Sequence, residues 1–199
     1  MRRELICMNN HIDFYFDIIS PYAYLAYKNI VKINNVEFKF KPILLGGLHN
    51  LVEISAPAFN KFKLKNMKND CELISKKNKI NFIWNSKFPI NSLYIMRGYL
   101  VVKENKKKEY LEIFFNAYWQ DDIDLSIKEN IIQLVENLNI NHKEFFREIA
   151  QKEIKDELKL LTDEAFKKEI FGAPTFIVND KIFWGQDRLE YALDEFKNI

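Results

Sequence analysis

Strand-type alternation is confined to the two ends of this chain, and the long middle reads as helix. Ile12, Phe14 and Phe16 alternate with Asp13, Tyr15 and Asp17, which predicts a strand over residues 12–18. Val36, Phe38 and Phe40 alternate with Glu37, Lys39 and Lys41 in a second strand. Between them, Ser20-Pro21 opens a helix that runs to about Ile33, and Asn34-Asn35 turns the chain. A serine hydroxyl caps a free N–H there, and proline sits where no N–H is missed. Strand, helix, strand over this length makes a right-handed parallel unit. Pro42 to Gly47 ends it. From Phe59 to Ile170 helical periods follow one another, near 60–78, 90–104, 106–120, 126–138, 142–152 and 154–170. Strands return after Gly172. Thr175-Phe176-Ile177-Val178, a turn at Asn179-Asp180, and Lys181-Ile182-Phe183-Trp184 form an antiparallel hairpin, followed by a last helix from about Asp187. Neither half-sheet can bury its faces alone, so the two ends must meet in space. The expectation is an α/β fold: residues 11–47 and 171–199 form one discontinuous sheet domain, and 48–170 an inserted helical domain.

Composition narrows the function classes. Hydrophobic residues at 48% and charged residues at 29% of 199 exclude a disordered chain. A net charge of +2 gives no electrostatic case for nucleic acid, and the run Lys106-Lys107-Lys108 reads as a solvated helix face. No apolar run reaches the roughly 20 residues of a membrane span, and the first ten residues lack the apolar stretch of a signal peptide. The cytoplasm is the expected address. The two cysteines, Cys7 and Cys71, form no Cys-x-x-Cys, and the three histidines have no helical metal spacing, so neither a disulfide framework nor a metal is expected.

Three places carry chemical interest. Ser20 lies at a strand end and a helix start, where free N–H groups stabilise an anion or an ionising thiol. Taken alone, a serine there is an N-cap. Pro174 opens a strand that reads as interior to the sheet, where it cannot donate to the ladder; a cis bond is expected. Trp184-Gly185-Gln186-Asp187 joins a strand to a helix, with Gly185 permitting close approach and the next N–H groups facing outward.

Phe14-Tyr15-Phe16-Asp17, Ser20-Pro21-Tyr22-Ala23-Tyr24-Leu25, Pro42-Ile43-Leu44-Leu45-Gly46-Gly47, Phe88-Pro89-Ile90-Asn91, Met96-Arg97-Gly98, Phe171-Gly172-Ala173-Pro174-Thr175-Phe176 and Phe183-Trp184-Gly185-Gln186-Asp187-Arg188-Leu189 occur in an order that resembles the 2-hydroxychromene-2-carboxylate isomerases. These are relatives of the kappa-class glutathione transferases. The resemblance runs from about Asp13 to Phe196. It implies a thioredoxin-like fold of the DsbA and kappa type, split by an all-helical insertion. It also implies a glutathione-dependent isomerase, in which the thiol adds to an activated double bond, a bond rotates and the thiol leaves.

Redox thioredoxins carry cysteines where this chain has Ser20 and Ala23, so the thiol must come from outside. The resemblance assigns Ser20 the stabilisation of the glutathione thiolate. It places the backbone of Ala173 and Pro174 beside the cysteinyl part, and Trp184, Gly185, Gln186 and Asp187 around the γ-glutamyl end. Lys63 is matched to the glycyl carboxylate. Relatives carry Gly-Asn where this chain has Glu53-Ile54, and isoleucine cannot make the asparagine's contact; Asn50 is the substitute. Arg97 is the candidate partner of a substrate carboxylate, and Tyr22, Tyr24, Phe88 and Trp119 are candidates for an aromatic pocket wall. A homodimer is also implied. Two other readings remain open on the residues: a kappa-like transferase or peroxidase acting on an electrophile, and a thioredoxin-fold protein that binds a thiol or peptide without turnover.

Overall fold

The computed structural model describes residues 10–198, so Cys7 lies outside the described residues. The sheet has four strands: β1 (Ile12–Phe16), β2 (Phe38–Pro42), β3 (Thr175–Val178) and β4 (Lys181–Trp184), in the order β2-β1-β3-β4. β1 pairs parallel to β2, with Phe14 opposite Phe40, and antiparallel to β3, with Phe14 opposite Phe176. The two ends of the chain therefore build one sheet, with β3 interior as expected. The β3–β4 turn has Asn179 at φ 49° and Asp180 at φ 63°. Two left-handed residues in a two-residue hairpin match the twist of the strands they join.

Helix α1 (Pro21–Ile30) crosses from β1 to β2. Between β2 and β3 lie α2 (Leu45–Leu51), a 3₁₀ turn at Pro57–Phe59, α3 (Lys61–Asn78), α4 (Leu93–Val101), α5 (Glu104–Trp119), α6 (Lys128–Asn137), α7 (His142–Ile149) and α8 (Lys152–Lys167). A 3₁₀ turn at Gln186–Arg188 leads into α9 (Leu189–Lys197).

Both faces of β1 are buried. Phe14, Phe16 and Phe176 stack on one face at centroid distances of 5.4–5.6 Å. Tyr99 of α4 and Phe115 of α5 close over Phe16. This core passes without interruption from the sheet into the helices between the two half-sheets. On the other face, Tyr15 and Ile177 pack with Leu48 of α2 and Ala165 of α8.

Several boundaries differ from expectation. β1 stops at Phe16 because residues 17–19 turn away to partners on other elements. α1 ends at Ile30, where Lys32 and Ile33 donate to Asn29 and Ile30 in a tightening last turn. The eighth helix ends at Lys167. Glu169 is left-handed, and Ile170 N–H returns to the Ala165 carbonyl, as at many helix C-termini. Helix α2, at the segment read only as the end of the parallel unit, is an addition. Its Leu44 N–H is held by the Thr162 hydroxyl of α8 at 3.0 Å.

Gly98 fixes how α4 meets α5 and α7. A Cβ there would overlap Tyr110 Oη and the Phe145 ring, whereas a Cβ at Gly46 in α2 meets nothing within 4 Å. Gly98→Ala should destabilise the protein by about 1–3 kcal/mol. Gly46→Ala should be neutral or stabilise by up to about 1 kcal/mol. Urea midpoints decide the matter, and a Gly98→Ala protein as stable as wild type would refute this packing.

Candidate active site

Ser20 stands between the end of β1 and the first residue of α1, 4% exposed. Its φ and ψ of −83° and 116° are those of an N-cap. Its Oγ accepts from Ala23 N–H at 3.2 Å and donates to the Ala173 carbonyl at 2.8 Å. One hydroxyl thus joins the start of α1 to the residue before Pro174, across 153 residues of sequence. Pro21 has no N–H. The Tyr22 N–H is the first-turn donor of α1 without a partner among the described residues.

What fixes Ser20 is the three residues before it. Asp17 has no exposed surface. Its Oδ2 accepts from Leu45 N–H at 2.8 Å and from Ser92 Oγ at 3.0 Å, and its Oδ1 from Ile19 N–H at 3.1 Å. Its carbonyl accepts from Ser20 N–H. The first residue of α2 and the N-cap of α4 therefore both close on one carboxylate. Ile18 is gripped on both sides: its N–H meets Met96 Sδ at 3.4 Å, and its carbonyl accepts from Trp119 Nε1 at 2.8 Å. Burial raises the Asp17 carboxyl to about 6, against the lowering effect of its three donors.

The Ala173–Pro174 bond is cis, as expected; so is Phe88–Pro89. Thr175 Oγ1 donates to the Gly172 carbonyl at 2.7 Å, and Gly185 N–H donates to the Pro174 carbonyl at 3.0 Å. Gly185 has φ 112°, which an L side chain rarely adopts, and a Cβ there would lie 2.6 Å from Asp187 Oδ1. Trp184 lies over Gly172, where a Cβ would stand 2.6 Å from the indole nitrogen, and it packs on Phe171 at 4.8 Å. Its indole remains 52% exposed. The turn carrying Gln186 and Asp187 packs against α1. Asp187 and Asp70 both act on the Tyr22 phenol, which donates to Asp70 at 2.8 Å and is held far above its ordinary pKa, chiefly by burial. Ser20, Ala173, Pro174, Trp184, Gly185, Gln186 and Asp187 thus border one place.

Other expected residues fall around or away from it. Lys63 is exposed in the first turn of α3, seven residues before Asp70. That spacing puts it on the α3 face that meets Tyr22, about 10 Å along the axis. Asn50 is exposed near the end of α2. Glu53 keeps a positive φ of 58° where a glycine would be at ease. Arg97 lines a groove between α2, α4 and α8 whose lining includes none of the residues around Ser20. Tyr24 and Trp119 are fully buried, which leaves Tyr22 and Phe88 as the half-open aromatics of the four. Burial pushes the Cys71 thiol well up, so it supplies no thiolate near neutral pH. Among the described residues, no group of three or more His, Cys, Asp or Glu could hold a metal ion, and no helix is long and apolar enough to cross a membrane. Sequence reasoning gave no role to Asp17, Asp70 or Met96, and it read Pro89-Ile90-Asn91-Ser92 only as a helix start, which Ser92 is for α4. The available signal was an acid set between apolar residues at a strand end, Phe16-Asp17-Ile18.

The folded pKa of Asp17 lies above the usual carboxyl value of 3.8. The folded protein therefore holds this proton more tightly than the unfolded chain. The stability it contributes is full below about pH 4 and is lost as pH rises through about 6. Asp17→Asn should remove that contribution, flattening the gain in unfolding free energy between pH 7 and pH 5. It should also lower stability at pH 7, because the amide NH₂ meets a donor. Urea titrations at the two pH values test both points, and an unchanged pH slope would contradict them.

The model of the DsbA-like thioredoxin domain matches residues 11–197. The 2-hydroxychromene-2-carboxylate isomerase of Pseudomonas putida is 25% identical over 184 residues, covering 89% of this chain and 90% of that protein. The protein of the same name from Sphingobium xenophagum is 24% identical over 194 residues, covering 92% and 96%. A solved structure of a 2-hydroxychromene-2-carboxylate isomerase superposes with a TM-score of 0.86 at 23% identity, covering 94% of each chain. The match runs over nearly the whole chain, and this chain belongs to the DsbA-like thioredoxin domain family.

Proposed function

We propose that this protein is a glutathione-dependent isomerase of the 2-hydroxychromene-2-carboxylate isomerase type. The observation that carries the reading is the Ser20 hydroxyl. It is nearly closed from solvent, sits at the N-terminus of α1, and bonds to the carbonyl before the cis-proline. The names of the relatives similar over most of the chain supply the substrate class.

The chemistry follows from the residue types. Neither Ser20 nor Ala23 carries a thiol, so this pair performs no dithiol exchange. A free glutathione thiol titrates near about 8.5 and is a few per cent ionised at pH 7. On binding, the Ser20 hydroxyl turns from the Ala173 carbonyl to the sulfur. The Tyr22 N–H and the helix dipole add to the same stabilisation. The Ala173 peptide then pairs with the cysteinyl backbone as an added strand would. The γ-glutamyl ammonium meets Asp187 and its carboxylate the N–H groups at Gln186, while Lys63 approaches the glycyl end. The hemiketal first opens: its ring C–O bond breaks, the phenolic oxygen takes the proton of the 2-hydroxyl, and a ketone conjugated to the double bond is left. The thiolate adds to the benzylic carbon of that double bond as its π electrons move toward the ketone oxygen. The new single bond rotates, and collapse of the enolate expels the thiolate unchanged. Tyr22 and Phe88 form the half-open aromatic wall of this site.

Turnover of a 2-hydroxychromene-2-carboxylate should require glutathione. Ser20→Ala should lower it about 10–100-fold, the worth of one hydrogen bond to a charged group. Equal turnover without thiol would defeat the reading. Glu53→Gly with Ile54→Asn restores a polar side chain after α2 and should tighten glutathione binding by roughly 2–10-fold. Isothermal titration reads it, and unchanged affinity would show that this position does not touch the tripeptide.

A further inference from the structure

The groove that holds Arg97 is a second candidate site, lying apart from the residues around Ser20. It encloses about 380 Å³ between α2, α4 and α8. Leu44, Leu51, Leu93 and Leu158 make its apolar wall. Its charges do not balance. The two acids in its lining already have partners: Asp163 is bonded to Lys159 at 2.6 Å, and Asp156 is paired with Lys152. Arg97 and Lys155 have no ion-pair partner among the described residues. Arg97 Nε is buried and makes no hydrogen bond. Desolvation holds the guanidinium below its ordinary pKa, as expected for a cation set against leucines without a counter-ion. The nearby Thr162 hydroxyl supplies nothing to it, being already bonded to Leu44 N–H and the Leu158 carbonyl.

We infer that this groove binds a small amphipathic carboxylate, with its apolar body against the four leucines and its carboxylate on Arg97 and Lys155. The volume suits a body of one or two rings, within the range of small-molecule sites. A planar carboxylate can take two parallel hydrogen bonds from a guanidinium, and the terminal Nη groups of Arg97 have neither a hydrogen bond nor an ion pair among the described residues. An alcohol of the same shape can accept one hydrogen bond but brings no negative charge to Arg97 and Lys155, so the groove should discriminate by charge. This inference does not depend on the reading of the Ser20 site.

The test uses 2-naphthoate as probe and 2-naphthalenemethanol as its neutral counterpart, by isothermal titration on the full chain. The naphthoate should bind at least tenfold more tightly than the alcohol. Arg97→Gln should weaken it about tenfold or more, and Lys155→Gln, an exposed position, by a smaller factor. Ser20→Ala and saturating glutathione should leave it unchanged. Circular dichroism melting of each variant separates lost binding from lost folding. Equal affinity for acid and alcohol, or no effect of either cation variant, would overturn the inference. Loss of binding on Ser20→Ala or with glutathione would place the probe at the Ser20 site and overturn it as well. A failed isomerase assay with intact, Arg97-dependent naphthoate binding would sink the function proposed above and leave this one standing.

Discussion

A carboxylate with no contact with water sets the geometry of this molecule's candidate active site. Asp17 gathers the first N–H of α2, the N-cap hydroxyl of α4 and its own loop. A buried charge is costly unless its acceptor sites are filled. Here three donors fill them, and each comes from a segment whose position then becomes fixed. Ile18 adds two further anchors from α4 and α5. The loop between β1 and α1 is therefore held by the helices that stand between the two half-sheets in sequence. The sheet and those helices share one core and one polar anchor.

Ser20 inherits its precision from that anchor. Its N–H returns to the Asp17 carbonyl, its Oγ caps α1, and its proton reaches Ala173 at the cis-proline turn. The hydroxyl is thus poised between two chain segments and needs only a rotation to meet a ligand atom. A helix start, a cis-proline carbonyl and a glycine with φ 112° converge here, and neither Ser20 nor Ala23 carries a thiol. In the function proposed above, this arrangement holds the sulfur of another molecule and passes no electrons between two cysteines.

Much of the fold was legible in the sequence. The alternation in β1, the Asn179-Asp180 hairpin, the Ser20-Pro21 helix start and the unusual position of Pro174 are local signals, and each describes the structure. What was hidden is non-local. Helix α2 begins Leu45-Gly46-Gly47, a poor helix start by propensity, and it forms because Asp17 and Thr162 hold its first N–H groups. The partners of Asp17 and Ile18 lie 28, 75, 78 and 101 residues away. No pattern along the chain reveals that distance. Arg97 was read as a partner for substrate because of the motif around it. Its surroundings come from α2 and α8, which periodicity could not bring together.

The most direct measurement is the ultraviolet titration of bound glutathione, read as thiolate absorbance against pH for wild type and Ser20→Ala at matched occupancy. The account predicts a thiol pKa below its free value in wild type, moving back up by about one unit or more when the hydroxyl is removed. The same pKa in both proteins, or a bound thiol that titrates as it does free in solution, would contradict the role given to Ser20.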